Sequence, residues 1–142
     1  MPKRRNPSAD LKNVPLFSAL STRDLKAVQR AADQIDVPAG REIVQEGRTG
    51  HEFFLILDGN ASVTRHKRKV ATLGAGEYFG EMAVLDRGPR TASVTADTDM
   101  SLLVLGQREF AGLVSTVPGL ASKLMVALAH RLREADVKSI RH

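Results

Sequence analysis

Glycines at positions 40, 47, 59, 76 and 80 cut the middle of this chain into short apolar segments, and that spacing limits what it can fold into. The segments between them hold one strand or a pair, and each glycine falls where a turn is needed. Pro38-Ala39-Gly40 turns after Ile35-Asp36-Val37, and Glu42 to Gln45 reads as a strand ended by Gly47-Arg48-Thr49-Gly50. Phe53 to Leu57 is a continuous apolar run with Asp58-Gly59 behind it, which reads as a buried strand and a turn. Residues 60–65 alternate around Ala61 and Val63, Arg65 to Lys69 forms a charged hairpin tip, and Val70 to Leu73 returns. Ser93 to Ala96 and Met100 to Leu105 complete the set. Strands this short, at such even spacing, point to a small roll or barrel. Any small barrel needs corner glycines, so the pattern constrains architecture more than chemistry.

Helical segments flank this middle. Ser21 is placed to cap a helix, with Asp24 in the reciprocal position and Leu20 and Leu25 as a hydrophobic staple. Leu25, Val28 and Ala32 then recur at helical spacing. After Gln107 the pattern turns helical again and breaks at Ser115-Thr116, where Thr116 is expected to cap a last helix with Pro118 in its first turn. Leu120, Leu124, Leu128 and Leu132 lie on one face of that helix, and Ala121, Met125 and Ala135 widen it. The organisation expected is a loose basic stretch at 1–9, then one domain over 10–142. Within it 10–34 is helical, 35–106 is the β-rich roll and 107–142 is helical again.

Composition excludes several classes. A chain of 142 residues is one domain, long enough to bury a core without staples. Cysteine is absent, so disulfides and thiolate chemistry are out. No run reaches the ~20 apolar residues that span a bilayer, and the basic start has no apolar stretch behind it, so a cytoplasmic protein is the expectation. The net charge of +5 gathers in Lys3-Arg4-Arg5, in residues 65–69 and near the C-terminus. The run at 65–69 has no interleaved aromatic, so a base-stacking surface is not indicated. His51, His66, His130 and His142 show no metal spacing, which argues against a metal-dependent β-roll enzyme. No nucleophile-elbow motif is present.

The chemistry lies in Phe79-Gly80-Glu81-Met82-Ala83-Val84-Leu85, followed by Pro89-Arg90-Thr91-Ala92-Ser93-Val94. A carboxylate sits on a glycine turn, and one arginine lies nine positions later between a proline and small residues. That pairing suits a ligand with a sugar hydroxyl and an anionic phosphate. A guanidinium offers planar, bidentate donors to phosphate oxygens, and a carboxylate accepts from a ribose 2′-OH. Gly80 lets backbone approach the ligand, and small Ala83 and Ala92 leave their N–H groups open to an anion. A surface ion pair between Glu81 and Arg90 is the plainer reading, but it leaves the glycine, proline and alanine pattern unexplained.

These two stretches resemble the phosphate-binding cassette of the cyclic nucleotide-binding domain family. The resemblance implies a mainly β, α+β fold: an antiparallel, jelly-roll-like β-roll flanked by N-terminal helices and a C-terminal helical lid. It implies that Arg90 pairs with the cyclic phosphate and Glu81 with the ribose 2′-OH. Gly80, Met82 and Ala83 would complete the cassette, with the N–H groups of Ala83 and of Thr91 or Ala92 as further donors. Residues 81–85 are expected to form a short helical turn aimed at the anion. Thr91 bears on base choice, since a threonine there can bond a syn guanine in some members, yet it also occurs in members that prefer cAMP. Val70 is expected to line the base pocket, and Arg131 falls where the last helix places a base-capping residue. The implied ligand is cAMP in preference to cGMP, with no other cofactor, no metal and no catalysis.

In catabolite-activator-type transcription factors a winged helix-turn-helix follows this point, and the sequence as it stands shows none. The output is therefore expected to pass to a partner protein, or through self-association of the C-terminal helix, rather than to nucleic acid or a membrane. Two alternatives remain at this level. One is a DNA-binding regulator acting through the basic ends, and the other is an interaction scaffold whose pocket binds nothing.

Overall fold

The structure, a computed structural model, describes residues 11, 14, 17, 18, 20–80, 88–126, 129, 130 and 133. Helix α1 (Thr22–Ala31) starts where its capping signal lies: the Ser21 hydroxyl oxygen accepts from the Asp24 N–H at 3.1 Å. Leu20 and Leu25 are both buried, as the staple requires. The strands are β1 (Asp33–Val37), β2 (Glu42–Val44), β3 (Glu52–Asp58), β4 (Ala61–Arg65), β5 (Arg68–Leu73), β6 (Tyr78–Phe79), β7 (Ser93–Ala96) and β8 (Met100–Gly106). Helix α2 (Gln107–Thr116) follows β8 directly.

Two four-stranded antiparallel sheets, ordered β1-β8-β3-β6 and β2-β7-β4-β5, face each other to form the expected roll. Strand β3 explains why. Alternate side chains of a strand point to opposite faces, so an unbroken apolar run must bury both. Phe54 and Ile56 point between the sheets, where they meet Phe79, Val94, Ala96 and Leu102. Phe53, Leu55 and Leu57 point outward, into a second core with Leu25, Val28, Phe110 and Leu113 from the helices. Phe53, Ile56 and Leu102 are each 0% exposed, and full burial of such a side chain stabilises by about 1.5–3 kcal/mol.

Three local expectations change. Strand β1 begins at Asp33 rather than at 35, because Ala32 turns extended once its N–H has closed onto the Val28 carbonyl. The hairpin tip is only two residues: β4 runs to Arg65, β5 resumes at Arg68, and His66 (φ 52°) and Lys67 (φ 65°) make the turn. Two positive φ values are what a tight hairpin turn needs to match strand twist, here without the usual Asn-Gly. Thr116 does not cap the last helix. It ends α2, and its hydroxyl donates back to the Gly112 carbonyl at 2.7 Å. Pro118 and Gly119 form a turn with Gly119 at φ 80°, and helical backbone resumes at 120–126. Leu120 and Leu124 are buried there, whereas Met125 is 70% exposed. Leu128, Leu132, Ala135 and the stretch 1–9 lie outside the described residues.

Candidate functional site

Arg90 is the one charged side chain buried among the described residues, at 7% exposure. Its backbone is held on both sides by the loop that leaves β2. Its N–H donates to the Arg48 carbonyl at 2.9 Å, and its carbonyl accepts from Gly47 N–H at 2.9 Å. Thr49 and Pro89 form an antiparallel bridge beside it. The segment before β7 is thereby laced to a loop some forty residues earlier, and the side chain is directed into the roll.

The guanidinium lies against the start of β3. Nη1 donates to the Glu52 carbonyl at 3.0 Å, and Nη2 is 3.7 Å from Glu52 Oε1. Cζ stands 5.7 Å from the centroid of the Phe54 ring, which in turn stacks on Phe79 at 4.8 Å. A cation near an aromatic face gains from the ring quadrupole, more so where water is excluded. Arg90 therefore sits in a pre-shaped place, with planar donors suited to a bidentate anion.

Two glycines make the room. A Cβ on Gly50 would lie 2.6 Å from Arg90 Cζ and would overlap Nε and Nη2. A Cβ on Gly80 would lie 2.7 Å from Nη1 and 2.6 Å from the Glu52 carbonyl oxygen. Gly80 also has φ 88°, so it is required twice over, by conformation and by space. Gly50 is required by space alone, since its φ is not in the left-handed region.

Of the residues expected from sequence, the structure brings Gly80 and Arg90 together. Thr91 and Ala92 make the bend that joins Arg90 to β7; Thr91 is exposed and its carbonyl accepts from Arg65 Nε at 3.2 Å. Val70 lies on the edge strand β5. The register shift between Val63 and Thr64 makes it the extra residue of a bulge, 47% exposed. Glu81, Met82, Ala83 and Arg131 lie outside the described residues. Sequence reasoning missed Gly50, Glu52 and Phe54. Glu52 and Phe54 open an ordinary strand, and only the approach of a residue 38 positions away gives them a role. The signal that existed for Gly50 was its turn, which says nothing about Arg90.

Among the described residues no group of three or more His, Asp or Glu side chains could hold a metal ion. A small apolar cleft lined by Phe17, Phe53, Phe110 and Leu120 lies between helices and sheet, and Arg90 is not on it. No described helix is long and apolar enough to cross a membrane.

Arg90 lies close to Gly80 of the Phe79-Gly80 turn that precedes it in the sequence, and residues 34–117 match the cyclic nucleotide-binding domain family. The chain belongs to that family. It is 35% identical over 133 residues to the cyclic AMP receptor protein of Thermus thermophilus, covering 90% of this chain and 62% of that one. It is 38% identical over 117 residues to the cAMP-dependent protein kinase regulatory subunit of Aspergillus niger, covering 81% of this chain and 28% of that one. A crystal structure of Thermus thermophilus catabolite activator protein superposes with a TM-score of 0.82 at 36% identity, covering 87% of this chain and 61% of that chain. The family is a binding domain, and the relatives named here are a receptor protein and a regulatory subunit. It spans about three-fifths of the Thermus protein and under a third of the kinase subunit. The fold of that shared portion is the β-roll described above.

Proposed function

We propose that this domain binds a cyclic mononucleotide, cAMP in preference to cGMP, through Arg90. The observation that carries the reading is the buried guanidinium of Arg90 beneath Gly50 and Gly80, within the family's matched range. A phosphate reaching that place would exchange the contacts with Glu52 for charge-assisted bonds of its own. Glu81 takes the ribose 2′-OH in this reading, and Gly80, Met82, Ala83, Thr91 and Ala92 shape the phosphate seat. Val70 and Arg131 address the base. The preference for cAMP is supported by the names of the Thermus and Aspergillus relatives. Binding shifts the helical segment that begins at 120 and so signals to a partner protein or a second copy. The basic run at 65–69 stays solvated in this reading, and nucleic acid is not the partner.

The test is thermal melting with cAMP, cGMP and 5′-AMP. A ligand at 100 times its dissociation constant stabilises by about 2.7 kcal/mol, which is several degrees in a domain this size. The expected order of shift is cAMP, then cGMP, with 5′-AMP smallest. No shift with either cyclic nucleotide, from protein shown free of retained ligand, contradicts the reading.

A further inference from the structure

The link from Arg90 to β7 is short and held at both ends. Arg90 is fixed through its N–H and carbonyl to residues 48 and 47, and Ser93 is in register with Thr64. Between them lie only Thr91 and Ala92, in a bend. The end of β4 reaches that bend, where Arg65 Nε donates to the Thr91 carbonyl at 3.2 Å.

Arg65 is itself held in place by an unusual turn. His66 and Lys67 both adopt positive φ, which costs a residue with a Cβ about 1–2 kcal/mol. Glu46 secures the turn: Oε1 accepts from the His66 N–H at 2.9 Å, and Oε2 lies 3.6 Å from Nδ1. The N–H of Glu46 donates in turn to Ser93 Oγ at 2.9 Å. The hairpin tip is thus tied to the start of β7 by two routes, one through Glu46 and one through Arg65. Strain of this kind, held by surrounding contacts, is found where geometry serves a site.

We infer that Arg65 is a positioning residue for the anion seat, acting through the Thr91–Ala92 peptide; the inference rests on the proposed function. In a trans peptide the carbonyl and the N–H lie in one plane and point in opposite directions across the C–N bond. By pinning the Thr91 oxygen on the hairpin side, Arg65 turns the Ala92 N–H away from the hairpin, where it serves as a fixed donor to the ligand phosphate. Without Arg65 the peptide is free to rotate, and the donor must be ordered at the moment of binding.

The test compares wild type, Arg65→Ala, Lys67→Asn and Arg90→Ala by calorimetric titration with cAMP at 50 and 300 mM salt. Backbone amide spectra with and without cAMP accompany it. Lys67→Asn removes the same charge from the same tip without touching Thr91, and Asn tolerates positive φ. Arg65→Ala should bind about three- to tenfold more weakly at both salts, the worth of one hydrogen bond, while Lys67→Asn stays within about twofold at the higher salt. The cAMP-induced shift of the Ala92 amide should shrink in Arg65→Ala only. Equal losses in the two tip variants, or an unchanged Ala92 response, would overturn the role of Arg65 while leaving the site intact. Wild type and Arg90→Ala both failing to bind would remove the proposed function and this inference with it.

Discussion

Gly50→Ala isolates the role of Arg90 better than any change to the arginine itself. The new methyl would sit 2.6 Å from Arg90 Cζ. Carbon contacts settle near 3.5 Å, so the guanidinium has to yield by about 1 Å. Arg90 is 7% exposed and walled by Gly80 and Phe54, yet its head group ends a flexible side chain, so it can tilt without moving backbone. The cost to folding includes straining the hydrogen bond from Nη1 to the Glu52 carbonyl at 3.0 Å, which is about 1 kcal/mol or 2–4 °C in melting temperature. The cost to binding is larger, because a phosphate contact depends on where the donors point. Loss of a charge-assisted bond costs about 1.5–3 kcal/mol, or roughly 10- to 150-fold in affinity for cAMP. Calorimetry and thermal melting on the same sample separate the two. Gly40→Ala is the control: its Cβ meets nothing within 4 Å but its φ is 91°, so it should lose stability and keep affinity. A Gly50→Ala protein that binds cAMP as tightly as wild type would refute the placement of Arg90 as the phosphate contact. One that loses more than about 10 °C would show Arg90 to be a structural brace instead.

Two further outcomes follow from neighbouring residues. Glu52→Gln removes a half-exposed carboxylate 3.7 Å from Nη2 that competes with an incoming phosphate. It should tighten cAMP binding about two- to fivefold by calorimetry, an effect held small by solvent screening. Lys67→Gly relieves a positive φ at the hairpin tip and should raise the melting temperature by about 2–4 °C without changing affinity.

The roll was legible because its signals are local. The run Phe53 to Leu57 can only be buried on both faces, and the capping residues Ser21 and Asp24 mark their helix start whatever lies around them. The hairpin tip is shorter than its charged run suggests because His66 and Lys67 are not turn residues by type; β4 and β5 force them into the turn, and Glu46 holds them there. Thr116, two residues before Pro118, has the form of a cap, whereas its hydroxyl finds the Gly112 carbonyl within its own helix. At the site, Gly80 and Arg90 were visible as types in a pattern. Gly50 and Glu52 were not, since each acts through a residue about forty positions away and carries no mark of that pairing in its own segment.

The most direct measurement is a calorimetric titration of cAMP into wild type and Arg90→Ala, each shown by melting to be folded. Wild type should show measurable one-to-one binding and the variant a loss of at least about 30-fold, the worth of a charge-assisted phosphate contact. Equal binding by both proteins, or none by wild type, would contradict the proposed function.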